Sequence, residues 1–219
     1  SLLKDGWPLM LVSILIIVHT RIDQVMIGQL LNNKDVGLYS AAVTLSEAWL
    51  FLPAILVQTL VPYFVKIREL STELYNMRLM QLYSAMFWLG TIVGIVVILF
   101  GNKIILLLFG EAYQASSLTF VYIIWTGVFI SQAMARGIWM TNENLQFYRL
   151  LNNSIAVPMN ILLNFILIPR YGINGAAIAS LITVGLSTWV IPFLFKPLRA
   201  SNTQMILAIN PRFLFVGQK

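Results

Sequence analysis

LIIVHTRIDQVMIG, residues 15–28, reads as a membrane-buried helix up to His19, after which Arg21 and Asp23 interrupt it within three positions. The surrounding chain makes that interruption informative. Of its 219 residues 59% are hydrophobic and only 10% charged, and its mean hydropathy is +0.83, values foreign to soluble domains. Several runs exceed the ~18 apolar residues that suggest a bilayer-spanning helix. There is no cysteine, hence no disulfide framework and no thiolate metal site. A net charge of +6 would suggest nucleic acid as partner of a soluble protein, but in a membrane protein basic residues mark the cytoplasmic side. The chain opens on Ser1, with no short signal peptide before the first apolar run, as expected of a fragment or one half of a longer transporter.

Working outward from residues 15–28, apolar runs and polar punctuation predict six spans, 7–30, 36–64, 79–100, 118–140, 145–168 and 173–195, here named A to F. Pro8 suits the first turn of A, and Pro53, Pro158 and Pro192 predict kinks in B, E and F. The piece Ile104 to Phe109 is too short to cross and is expected at the interface. Residues 196–219 read as a cytoplasmic C-terminal tail. Lys4, Lys66, Arg68, Arg78, Arg136, Arg149, Lys196, Arg199, Arg212 and Lys219 fall on one side, against Lys34, Lys103 and Arg170 on the other. That bias puts both termini in the cytoplasm.

A charge at mid-bilayer costs ~2.5 to 3.5 kcal/mol on insertion scales, so Arg21, Asp23 and Glu47 need compensation. Counted along A and B, Asp23 and Glu47 lie within roughly 6 Å in depth, so the two acids are expected to share a site. Arg21 is expected to reach Glu47, and His19, four positions from Asp23, to pair with it. Helical spacing extends the polar faces. B carries Ser40, Thr44, Glu47, Phe51, Ala54 and Gln58, D carries Tyr122, Trp125, Phe129, Gln132, Arg136 and Trp139, and E carries Arg149, Asn153, Ala156, Asn160 and Asn164. Amides, aromatic faces and guanidinium groups suit sugars and phosphates, although interhelical hydrogen bonding and packing account for such stripes equally well. On F, Gly175, Ala179, Thr183 and Ser187 form a ridge suited to close packing. No metal-ligand cluster, phosphate loop or nucleophile elbow is present, and neither a cofactor nor an enzymatic activity is expected.

LLKDGWPLMLVSILIIVHTRIDQVMIG (2–28), VGLYSAAVTLSEAWLFLPAILVQTLVPYF (36–64), LLLFGEAYQASS (106–117) and NILLNFILIPRYGINGAAIASLIT (160–183) together resemble the C-terminal half of bacterial O-antigen flippases. These belong to the polysaccharide transporter branch of the multidrug/oligosaccharidyl-lipid/polysaccharide exporter superfamily. The resemblance implies an all-α membrane protein, a six-transmembrane-helix bundle forming one lobe of a two-lobed MATE-like transporter whose N-terminal lobe is missing. It implies movement of undecaprenyl-diphosphate-linked oligosaccharide, such as an O-antigen or other surface polysaccharide repeat unit, across the bacterial inner membrane by alternating access. On that reading Arg21, Gln58, Trp125, Gln132, Arg136, Arg149, Asn153, Asn160 and Asn164 line the substrate path, and Asp23 and Glu47 couple transport to protons or sodium. Besides substrate and coupling ion, the expected partner is membrane lipid, not nucleic acid. A multidrug or cation antiporter of the same superfamily is the alternative, followed by a membrane enzyme of polysaccharide assembly.

Overall fold

The computed structural model describes residues 21–214, and among them every regular element is helical. Residues 21–30 are helical, here α1, and hold the end of span A; the rest of that span, with His19 and its expected pairing to Asp23, lies outside the described residues. There follow α2 (Asn33–Ala48), α3 (Phe51–Leu70), α4 (Thr72–Phe109), α5 (Ser116–Ile124), α6 (Thr126–Asn142), α7 (Gln146–Tyr171), α8 (Ile173–Trp189) and α9 (Arg199–Leu207). Five stretches among the described residues are long and apolar enough to cross a membrane: Asn33–Leu70, Thr72–Phe109, Ser116–Asn142, Gln146–Tyr171 and Ile173–Leu194. They coincide with B to F. The chain is an all-α membrane bundle.

Span B is broken one turn before Pro53. A proline there has no N–H for the carbonyl of Trp49, which instead accepts from Leu52 N at 3.1 Å, while Leu50 N bonds Glu47 O at 3.0 Å. Every backbone group freed inside a bilayer needs such a local partner. Span D, expected as one helix, is interrupted at Trp125, where Val128 N bonds Trp125 O at 3.2 Å and Thr126 Oγ1 donates to Ile123 O at 2.6 Å. The two interruptions meet: a Cβ on Gly127 would stand 2.3 Å from the Trp49 ring, and one on Gly94 of α4 would stand 3.1 Å from Trp125. Glycine at 127 is what lets the Trp49 indole in, and Gly94 gives Trp125 a close seat.

Two other expectations need correction. Ile104–Phe109 is not a separate piece: it continues α4, with Ile105 fully buried. At 38 residues that helix is about 57 Å long, well beyond a ~30 Å hydrocarbon core. α7 runs without interruption through both Pro158 and Pro169. The segment after 195 is folded, with Leu198, Met205 and Ala208 buried. Span F does yield near its proline, as α8 stops at Trp189 and a 3-10 turn, Ile191–Leu194, takes over.

Two apolar cores divide the bundle. One joins α1, α2, α5, the outer part of α4, the end of α7 and the start of α8, and includes Ile27, Tyr39, Val97, Phe120, Ile168 and Ala176. The other joins α3, the first half of α4, α6 and α9 through Phe64, Leu79, Tyr83, Met86, Ile138 and Met205. Between α7 and α8 the small-residue ridge allows very close contact: a Cβ on Gly175 would meet the Leu167 carbonyl oxygen at 2.2 Å, and Ala176, Ala177 and Ala179 are fully buried.

Candidate functional site

Asp23 is 5% exposed, and three helices supply its donors. Tyr39 OH of α2 donates to Oδ2 at 2.7 Å, Asn164 Nδ2 of α7 donates to Oδ1 at 2.5 Å, and Ser180 Oγ of α8 donates to Oδ2. A carboxylate leaving water needs this kind of replacement shell. The geometry follows from counting. Asp23 lies seven residues before the end of α1's helical run, Asn164 seven before the end of α7, Ser180 seven after the start of α8, and Tyr39 six after the start of α2. At 1.5 Å per residue all four sit roughly 10 Å inside the same end of the bundle.

Asn160, one turn from Asn164, accepts its Nδ2 at 3.1 Å and is fully buried. Asn160 Nδ2, Asn164 Oδ1, Thr183 Oγ1 on α8 and Ser46 Oγ on α2 are buried without a hydrogen-bond partner among the described residues. Beside the carboxylate, the free oxygen of Asn164 is of the hard type that coordinates a small cation or accepts from a water.

Glu47 does not join this centre. It is exposed on α2, and it lies 14 residues after the start of that helix, or roughly 21 Å in depth, twice as deep as Asp23. The expected match in depth assumed a helix starting at Val36, whereas α2 starts at Asn33 because the Asn32 side chain caps it by accepting from Asp35 N at 3.0 Å. Tyr39 nevertheless lies within electrostatic reach of both acids. Arg21 is exposed and makes no ion pair with Glu47 among the described residues. Thr44, Glu47, Phe51 and Gln58 stay open along one face of α2 and α3. That face is polar where its neighbours Leu52, Ile55 and Leu56 are apolar.

A second polar centre gathers at the opposite end. Pro192 cannot donate to the Thr188 carbonyl four residues earlier, and Arg136 Nη1 does so instead at 3.0 Å. The next free carbonyl, Trp189 O, accepts from Asn202 Nδ2 at 2.6 Å. Asn202 Oδ1 in turn accepts from Arg136 Nη1 at 3.2 Å. Gln132, fully buried, accepts from Trp189 Nε1 at 2.8 Å and donates to Tyr83 O at 3.4 Å, while Tyr83 OH and Ser201 Oγ are 3.0 Å apart. The buried cation thus caps the negative end of α8, where the helix dipole favours it. Gln132 and Arg136, expected on a substrate path, are occupied in joining α6, α8 and α9.

The aromatic members of that stripe pack in the same way. Phe129 meets Trp189 edge-on at 4.8 Å, and Trp125 lies on Gly94. On α7, Asn153 is half-buried and Arg149 exposed near the helix start. Of the expected site residues, therefore, Asp23, Asn160 and Asn164 are brought together, as are Gln132 and Arg136, while Arg21, Glu47, Gln58 and Arg149 stand on the surface. Sequence reasoning missed Tyr39, Ser180 and Asn202. Counting residues from the connecting turns would have found the first two.

Residues 1–68 match the model of a family described as polysaccharide biosynthesis protein. No curated protein and no solved structure matches the chain.

Proposed function

We propose that this bundle is one lobe of a polysaccharide flippase that moves undecaprenyl-diphosphate-linked oligosaccharide between the leaflets of the bacterial inner membrane, with both termini cytoplasmic, a reading that the family match over residues 1–68 supports. The observation that carries the proposal is the open face of α2 and α3, where Thr44, Glu47 and Gln58 are exposed on helices apolar enough to span the bilayer. Acids and amides facing lipid are costly, so this face requires a polar cover, which a second lobe and a hydrated substrate path would supply. A sugar-diphosphate headgroup cannot cross hydrocarbon unaided. Arg21, exposed on α1, is the guanidinium available to the diphosphate.

Asp23 takes the ion-coupling role. Its carboxylate joins α1, α2, α7 and α8, so binding a proton or sodium there alters contacts among four helices at once. An ion can bias two conformations only through such differential contacts. A multidrug or cation antiporter would use the same acids, and its substrate distinguishes it.

The test is export of lipid-linked glycan by the full-length protein in cells lacking their own exporter. Arg21→Ala abolishes export and Arg21→Lys retains part of it. Asp23→Asn, which keeps shape and removes charge, changes the dependence of export on pH or sodium. Normal insertion with wild-type export and unchanged ion dependence in all three variants rejects the assignment.

A further inference from the structure

Between α3, the first half of α4 and the 3-10 turn Pro211–Leu214 lies a cavity of about 380 Å³, within the size range of small-molecule sites. Its walls are largely apolar, with Leu60 on α3, Leu82 and Ala85 on α4, and Leu214 from the C-terminal segment. One charged group, Arg78, enters it. The guanidinium donates through Nη1 to Gln81 Oε1 at 2.8 Å, whereas its Nε is buried without a hydrogen-bond partner among the described residues. Tyr63, 41% exposed, stands at the same pocket.

A cation at one end of a greasy slot defines an amphiphile with an anionic head. Arg78 sits on the second turn of α4, just before the apolar run that begins at Leu79. That position places it at headgroup level, where tyrosine also concentrates. Basic pockets between transmembrane helices hold anionic lipid heads at this level. A single guanidinium matches one phosphate monoester or diester in bidentate fashion. A diphosphate carries more charge than this pocket neutralises, and the pocket holds no array of amides for sugars.

We infer that this cavity binds one anionic phospholipid, its phosphate on Arg78 and the start of an acyl chain along Leu60, Leu82 and Ala85. The lipid bridges α3, α4 and the C-terminal segment, so it tethers the end of the chain to the inner core of the bundle.

The experiment places the full-length protein in nanodiscs of equal phosphatidylglycerol and phosphatidylcholine, extracts it mildly and counts retained lipids by mass spectrometry. The wild type retains phosphatidylglycerol over phosphatidylcholine by about tenfold, because both offer a phosphate to Arg78 but only phosphatidylcholine brings a choline cation that opposes the guanidinium. Arg78→Gln brings the two to parity and Arg78→Lys keeps part of the preference. Ala85→Leu, which fills the slot and leaves the charge, lowers retention of both. An undiminished preference in Arg78→Gln overturns the inference. So does displacement of the phospholipid by undecaprenyl diphosphate, which would assign the pocket to the substrate path, or a rise in retention on removing residues 215–219, which would make the chain's own end the occupant. Lipid retention is read without transport, so failure of the flippase proposal leaves this result standing.

Discussion

Tyr39→Phe removes one hydroxyl from the Asp23 centre and leaves the ring in place. Tyr39 is 2% exposed, so no water replaces the lost donor freely. A hydrogen bond to a charged acceptor is worth ~1.5 to 3 kcal/mol in soluble proteins, but interhelical bonds in membranes average ~0.6 and reach ~1.7 kcal/mol, because the separated helices find other partners. The charged acceptor, the 2.7 Å length and full burial place Tyr39 near the upper membrane value, about 1.5 kcal/mol. For a chain of this size that lowers the midpoint of thermal unfolding by roughly 3 to 6 °C. The informative measurement is the cycle with Asp23→Ala, followed by thermal unfolding in detergent. Once the carboxylate is gone the Tyr39 hydroxyl is itself a buried group short of a partner, so Tyr39→Phe becomes neutral or stabilising. An equal loss in both backgrounds refutes the reasoning, because the cost would then come from ring packing.

Gly175→Ala pushes a methyl group into the Leu167 carbonyl oxygen, 2.2 Å away. Backbone cannot swing aside, so α7 and α8 must separate, and the loss of about 1 to 3 kcal/mol typical of overpacking is read as a lower unfolding midpoint. Single cysteines at Asn33 and Gln114 react with an impermeant reagent from outside, and those at Ser71 and Thr203 do not, as both termini in the cytoplasm require. Thr203 is used because it is exposed, whereas Ser201 is 1% exposed.

Hydropathy carried the five described spans because length and apolarity are additive along the chain. It did not carry the breaks at Trp49–Leu50 and Trp125, since these depend on which carbonyl loses its donor and on what the indole meets across the bundle. The Asn stripe on α7 was legible by helical period, and of its members Asn164 does reach Asp23, with Asn160 bonded to Asn164 one turn away. Glu47 was misplaced by three residues of helix start, which widens its separation in depth from Asp23 from roughly 6 to roughly 10 Å. Arg136 was read as a cationic mouth because nothing in the local sequence reveals the carbonyl freed at Thr188 or the distant Asn202. Both arise from the fold of the segment after Phe195.

The two polar centres solve opposite problems. Asp23 is an anion held by neutral donors from three other helices, and three of its contacts reach across the bundle rather than along its own helix. Breaking one leaves a charge in hydrocarbon with two donors, so the centre holds α2, α7 and α8 together only while the carboxylate keeps its shell. Arg136 is a cation held by the Thr188 carbonyl, which a proline has already freed and which cannot find a donor along α8, and by the side-chain oxygen of Asn202, itself tied to the free Trp189 carbonyl. The Asp23 centre therefore suits a site whose contacts change as a proton or cation comes and goes, whereas the Arg136 centre suits a permanent joint that keeps α9 on the bundle. Their positions agree with that division, since the first lies in the core of α1, α2 and α5 and the second in the core of α3, α6 and α9, with α4 threading both.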